Sequence, residues 1–299
     1  MRDGDDAPLL DEVLLRQLMR IRIEGDRSLT DWLAGEHEGM RKMQSLEFED
    51  YRGYAPGDDF RLIDWNAYAR LGDLFVKTSL AEEALPVSLL VDCSRSMDWG
   101  QPNKLRYAKR LAAALGALAL MHGDSVRVFG LGDGGALPGA PLYSTGDMAA
   151  LSAELERLPV FPATDLASSV AVFGQVAEQR GLVILLSDLL APMAQIEMLG
   201  FLALQSRAAF AIHIVDPAEA APPLHGAVEL RDSETGGSSL LSITPAVRQR
   251  YAQRFGERTA TIRAQLGAAD IRYIGASTAT PPVDFVANGL RQGGLVAGA

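Results

Sequence analysis

Residues 86–97 read PVSLLVDCSRSM, and the fold turns on how that stretch is taken. Val87 to Cys93 is almost continuously apolar. A strand with one face in water alternates apolar and polar residues; a run without alternation marks a central strand of a parallel sheet, covered on both faces. LVILLSD (Leu182 to Asp188) repeats the pattern, and Val126 to Leu131 and AAFAIHIV (Ala208 to Val215) supply two more strands. Between them lie helical stretches: Lys104 to Met121, Met148 to Leu158, Asp165 to Gln179 and Pro192 to Ser206. Strands alternating with helices predict a doubly wound α/β domain around a mainly parallel sheet.

Outward from that core the style changes. Upstream, Leu10, Val13, Leu14, Leu18 and Ile21 recur at helical spacing behind a capping Asp11. The stretch YRGYAPGDDFRLIDW, residues 51–65, has turn chemistry at Pro56-Gly57-Asp58 and then apolar anchors Phe60, Ile63 and Trp65. Its acidic residues Asp58, Asp59 and Asp64 read as turn carboxylates paired with Arg52, Arg61 or Arg70 rather than as a metal site. Downstream, Val228 to Leu230 and Leu240 to Ile243 are short strands. Thr244 caps and Pro245 opens a long helix with Val247, Tyr251, Phe255, Ile262 and Leu266 on one face. Ile271 to Ile274 is the last strand. The expected division is an N-terminal helical and extended segment over 1–85, the α/β domain over 86–276 and a Pro- and Gly-rich tail over 277–299.

The chemistry gathers at strand ends. Asp92, Ser94 and Ser96 form a D-x-S-x-S motif directly after the first central strand. In open α/β sheets the loops beyond the carboxyl ends of the strands form the binding crevice. Alternation lets these three side chains converge, and Asp188 ends a second central strand. Thr164, in PATDL, precedes a helix. Carboxylates and hydroxyls suit a magnesium ion, which takes a compact octahedral shell of oxygens and keeps several waters. Asp and Ser also serve as caps and turn residues, so the motif alone says little. Three loops contributing oxygens say more.

These residues resemble the metal-ion-dependent adhesion site of von Willebrand factor A domains. The resemblance covers about Pro86 to Ile274 and implies one Mg2+ (or Mn2+) held by Asp92, Ser94, Ser96, Thr164 and Asp188, with a partner's carboxylate completing the shell. A second resemblance covers more of the chain. RGYAPGDDFRLIDWNAYARLGDLFVK (residues 52–77), the LLVDCSRSM strand and VELRDSETGG (residues 228–237) are similar to the bacterial family named domain of unknown function 58. It implies an adaptor or chaperone-related role beside a MoxR-type AAA+ ATPase. Many members carry N-terminal membrane helices, a pattern missing from these 299 residues.

Composition closes off other classes. Net charge is -10, which disfavours nucleic acid and anionic membrane. The single cysteine, Cys93, excludes an intramolecular disulfide framework and reads as a buried, inert thiol. His37, His122, His213 and His225 have no metal-ligand spacing. The longest apolar stretch, Leu111 to Met121, is too short to span a bilayer, and the acidic N-terminus lacks a signal-peptide layout. A cytoplasmic location is expected. There is no phosphate-binding glycine loop and no nucleophile elbow. The enzyme alternative is a magnesium-dependent phosphohydrolase of haloacid-dehalogenase-like type. It needs a second Asp two residues after the first as general acid, where this chain has Ser94. The expectation is a binding module, not an enzyme.

Overall fold

The computed structural model describes residues 8–24, 50–53, 68, 73–78, 84–177, 181–231 and 237–286. The chain divides into two compact units, one of residues 36–84 and one of residues 1–35 with 85–299. Helix α1 (Glu12–Glu24) belongs to the larger unit. In the smaller, β1 (Asp50–Gly53) pairs antiparallel with β2 (Phe75–Thr78), Asp50 opposite Thr78. The turn at Pro56-Gly57-Asp58, the anchors Phe60, Ile63 and Trp65, the carboxylates Asp58, Asp59 and Asp64, and Arg61 and Arg70 lie outside the described residues, as do the Arg52 side chain and His37.

In the larger unit β3 (Pro86–Asp92) leads into α2 (Lys104–Met121), β4 (Ser125–Gly132) and β5 (Gly135–Pro138). Then follow α3 (Met148–Arg157), α4 (Leu166–Val176), β6 (Leu182–Ser187), α5 (Met193–Met198), α6 (Gly200–Gln205), β7 (Ala208–Val215) and α7 (Pro217–Ala220). The chain continues through β8 (Gly226–Arg231), β9 (Ser238–Ile243), α8 (Pro245–Ala268), β10 (Ile271–Ser277) and α9 (Pro282–Asp284). Six strands form one sheet in the order β10-β7-β6-β3-β4-β5, parallel except for β5. The chain builds β3, β4 and β5 in one direction, returns to the centre at β6, and builds outward the other way. The winding reverses between β3 and β6, so the crevice past their carboxyl ends is the expected binding place.

Side-chain alternation sorts the sheet residues into two cores. Val87, Leu89, Val91, Ile184 and Leu186 pack with α2 and α3. Leu90, Val183 and Leu185 pack on the other face with Phe173 of α4 and with Ile262 and Leu266 of α8. Both faces of β3 and β6 are thus buried, which is why their sequences show no alternation. Helix α2 is buried around most of its circumference, matching its run of alanine and leucine.

The boundaries differ from a 1–85, 86–276, 277–299 division. Leu9, Leu14 and Leu18 are buried in the core that α2 forms, and Asp11 both caps α1 (2.7 Å from the Leu14 N–H) and pairs with Arg110 at 2.9 Å. Val13, at 65% exposure, faces water. At the other end Phe285 and Val286 enter the same core, so at least the start of the expected tail is packed structure. Helix α8 forms where expected, capped by Thr244, but its apolar face is unevenly covered: Ile262 and Leu266 are buried, whereas Val247 and Tyr251 are 40% and 42% exposed. Burial covers only its C-terminal part. Strand β5 carries no sequence pattern; four residues are too few for alternation to register.

Candidate metal centre

The parallel register sets Val91 opposite Leu186, which brings the next residues, Asp92 and Ser187, side by side. Ser187 Oγ donates to Asp92 Oδ2 at 2.6 Å. The other carboxylate oxygen, Oδ1, accepts from the Ser94 N–H at 3.0 Å and from Thr164 Oγ at 2.6 Å. Past Asp92 the chain coils in two tight turns, Met97 N–H to the Ser94 carbonyl and Asp98 N–H to the Arg95 carbonyl. That coiling sets Ser94 Oγ 2.9 Å from Ser96 Oγ.

Thr164 reaches Asp92 because another loop is fastened beside it. The Phe161 N–H donates to the Cys93 carbonyl at 2.8 Å, and the Asp165 N–H to the Gly132 carbonyl. A Cβ on Gly132 would run into the Phe161 ring, so this approach requires glycine. The cap of α4 is Asp165, which accepts from the Ala167 and Ser168 N–H groups. Thr164 is therefore not the helix cap, and its hydroxyl serves Asp92.

Asp188 lies at the neighbouring strand end in a different setting. Its Oδ1 accepts from the Leu190 N–H at 3.2 Å, an Asx-type turn, while Oδ2 receives Lys104 Nζ at 2.8 Å. Lys104, fully buried, also donates to Glu219 on α7. Burial pulls the Lys104 ammonium down, but Asp188 and Glu219 outweigh it and hold the pKa above its usual value. Leu189 takes a φ of +51°, unfavourable for a branched side chain. The turn is held by Ser187 Oγ, which accepts from the Leu189 N–H, and by Arg258 of α8, which donates to the Leu189 and Ala191 carbonyls at 2.9 and 2.7 Å.

Burial, and then the adjacent Asp188 charge, push the Asp92 carboxyl above its ordinary range, against three hydrogen bonds that pull it down. His213, beneath Asp188, bonds Tyr273 Oη through Nδ1 at 2.7 Å; burial lowers its pKa to about 4, so it is neutral at pH 7. Cys93 is fully buried, and burial with the Asp92 charge pushes its thiol up to about 12, in keeping with an inert thiol.

The structure thus joins Asp92 to Thr164 and Ser94 to Ser96, and sets Asp188 at the adjacent strand end. The residues fit a small, hard cation: their donor atoms are all oxygens, and among the described residues the buried Asp92 carboxylate accepts from neutral donors only. Among the described residues no three His, Cys, Asp or Glu side chains converge on one metal position, so hydroxyls and water would complete the shell. Among the described residues, the Lys104 ammonium is shared between two carboxylates, Asp188 and Glu219, beside Asp92.

Lys104, Glu219 and Ser187's bond to Asp92 were not anticipated. One signal for Lys104 was available: it opens a helix, where the macrodipole disfavours a cation unless carboxylates compensate. Glu219 gave none, since its link to Lys104 spans 115 residues.

Sheet order and crevice together define a doubly wound α/β domain with its candidate site at the topological switch point. The chain belongs to the family described as protein of unknown function DUF58, which matches residues 50–261. A relative is the uncharacterized protein Rv1480 of Mycobacterium tuberculosis, 29% identical over 248 residues that cover 81% of this chain and 78% of the relative. Solved structures with a looser likeness include the conserved hypothetical protein BatB from Bacteroides thetaiotaomicron (17% identity, 70% of this chain and 98% of that one, TM-score 0.44). Another is a von Willebrand factor type A protein from Catenulispora acidiphila (16% identity, 70% and 41%, TM-score 0.38). Among the described residues no helix is long and apolar enough to cross a membrane.

Proposed function

We propose that the crevice holds one divalent cation, Mg2+ or Mn2+, through Asp92, Ser94, Ser96, Thr164 and Asp188, and that the chain uses it to bind a protein partner. The observation that carries this reading is the Asp92 carboxylate, buried at the switch point with hydroxyls around it and, among the described residues, no cationic side chain on it. A bound cation would supply a position for an acidic side chain of the partner. Asp92 and Asp188 orient around it, Thr164 and Ser187 hold Asp92 in place, and Lys104 keeps Asp188 from repelling it. A charge-assisted contact of this kind is directional and is lost on chelation. The absence of a carboxyl group at Ser94 favours binding over hydrolysis.

By family resemblance the partner is a MoxR-type AAA+ ATPase, and the chain an adaptor or chaperone-related component beside it. We place the encounter in the cytoplasm, where such a partner has its ATP. The test is retention of the purified ATPase by the immobilised chain in magnesium, in EDTA, and with Asp92→Ala. Retention only by the unmodified chain in magnesium supports the reading; retention under all three conditions removes it. Magnesium-dependent turnover of a generic phosphate ester, abolished by Asp92→Asn, would replace it with the phosphohydrolase alternative.

A further inference from the structure

An apolar groove of about 420 Å3 adjoins the candidate metal centre. Its lining includes Ser96, whose hydroxyl meets that of Ser94, and Glu219, the second partner of Lys104. Its walls come from β8, β9 and the first turns of α8. Leu230, Leu241, Val247 and Tyr251 line it while remaining 39%, 45%, 40% and 42% exposed, and Trp99 of the D-x-S-x-S loop joins them at 47%. Contiguous exposure of that many large apolar side chains is uncommon on a surface that meets only water. It also accounts for α8, whose Val247 and Tyr251 continue the helix's apolar pattern beyond the core.

Charge says what would cover it. Arg231 and Arg248 line the same groove, and among the described residues neither guanidinium has a carboxylate partner, in a chain of net charge -10. Glu219, the acidic residue in the lining, is paired with Lys104, which it shares with Asp188. The groove is therefore apolar along its length, basic at Arg231 and Arg248, and continuous with an oxygen-lined crevice at Ser96.

We propose that this groove docks a short acidic and apolar segment of the partner protein. One carboxylate of the segment enters the metal centre, large apolar side chains near it in sequence fill the groove, and further acidic residues pair with Arg231 and Arg248. The inference rests on the cation-bridge reading and extends it from one contact to a recognisable sequence type.

An array of synthetic hexapeptides tests it. Each carries one glutamate, with leucine, phenylalanine, aspartate or serine at every other position, and the array is overlaid with the labelled full chain in magnesium. Retained peptides should need both the glutamate and a large apolar residue, and their signal should fall at least tenfold in EDTA, with Asp92→Asn and with Leu241→Glu. The charge-reversed Arg231→Glu/Arg248→Glu chain should lose most of its preference for a second acidic residue. Leu240→Glu is the control: Leu240 is 81% exposed and alternates with Leu241 along β9, so its signal should not change. Retention that needs glutamate alone and ignores Leu241→Glu overturns the groove and leaves the cation bridge standing. Retention that ignores EDTA and Asp92→Asn but is lost with Leu241→Glu keeps the groove and removes the bridge. An array with no retained peptide, or a concentration-dependent dimer abolished by Leu241→Glu, would overturn the partner assignment.

Discussion

The ends of β3 and β6 differ in a way their sequences do not announce. Each is a buried apolar strand with an aspartate at its carboxyl end, Asp92 as the last residue of β3 and Asp188 directly after β6. Asp92 is surrounded by neutral donors, the Ser94 N–H and the Thr164 and Ser187 hydroxyls, and burial raises its pKa. Asp188 is already committed to the Lys104 ammonium. Two neighbouring strand-end aspartates thus acquire different partners, one of them from the helix that starts beside it. Lys104 gives one acid a buried cationic partner, while the other is held by hydroxyls and a backbone N–H.

The largest expected effect breaks the Asp188 side. Lys104→Met leaves two carboxylates without their buried counter-charge and should destabilise the fold by about 3–5 kcal/mol in urea unfolding, the usual result of breaking a buried pair. A loss below about 1 kcal/mol would show that the ammonium is not needed there. Next comes His213, which is buried neutral. Its depressed pKa contributes stability that is present above about 6.5 and is lost as pH falls through about 4. The unmodified chain should lose roughly 2–3 kcal/mol more over that window than His213→Gln, measured by unfolding at successive pH values.

On the Asp92 side, Thr164→Val removes a hydrogen bond to a buried carboxylate and should destabilise the metal-free chain by about 1.5–2 kcal/mol in the same measurement. Asp92→Asn is the smallest effect. A carboxyl with a raised folded pKa contributes stability below its ordinary value of 3.8, and that contribution is lost as pH rises through the folded value. At neutral pH without divalent cations, removing the charge should therefore leave stability unchanged or raise it by about 1 kcal/mol. A fall of several kcal/mol would mean that Asp92 is held by something other than its hydroxyl partners.

Much of this was legible from residues alone. The unalternating runs at Val87–Cys93 and Leu182–Asp188 imply a buried parallel sheet, and the strand ends imply the crevice. What stayed hidden depended on long-range register. Ser187 meets Asp92 only because β3 and β6 are neighbours with Val91 opposite Leu186. Lys104 is an ordinary helix residue until α7 and the end of β6 are folded against it. The α1 leucines and Phe285 were readable as apolar, but not as parts of the same core from opposite ends of the chain. The apolar stripe of α8 was legible, but not that only its C-terminal part is buried, because a stripe looks the same in sequence whether or not a core covers it.

The claim that the β3 end binds a cation is tested most directly by counting manganese. Titration of Mn2+ into the full chain, followed by the loss of the free-ion electron paramagnetic resonance signal, should give one bound ion per chain, displaced by Mg2+. Asp92→Asn should weaken that binding at least tenfold. Full Mn2+ binding by Asp92→Asn, or no saturable binding by the unmodified chain, would contradict the account.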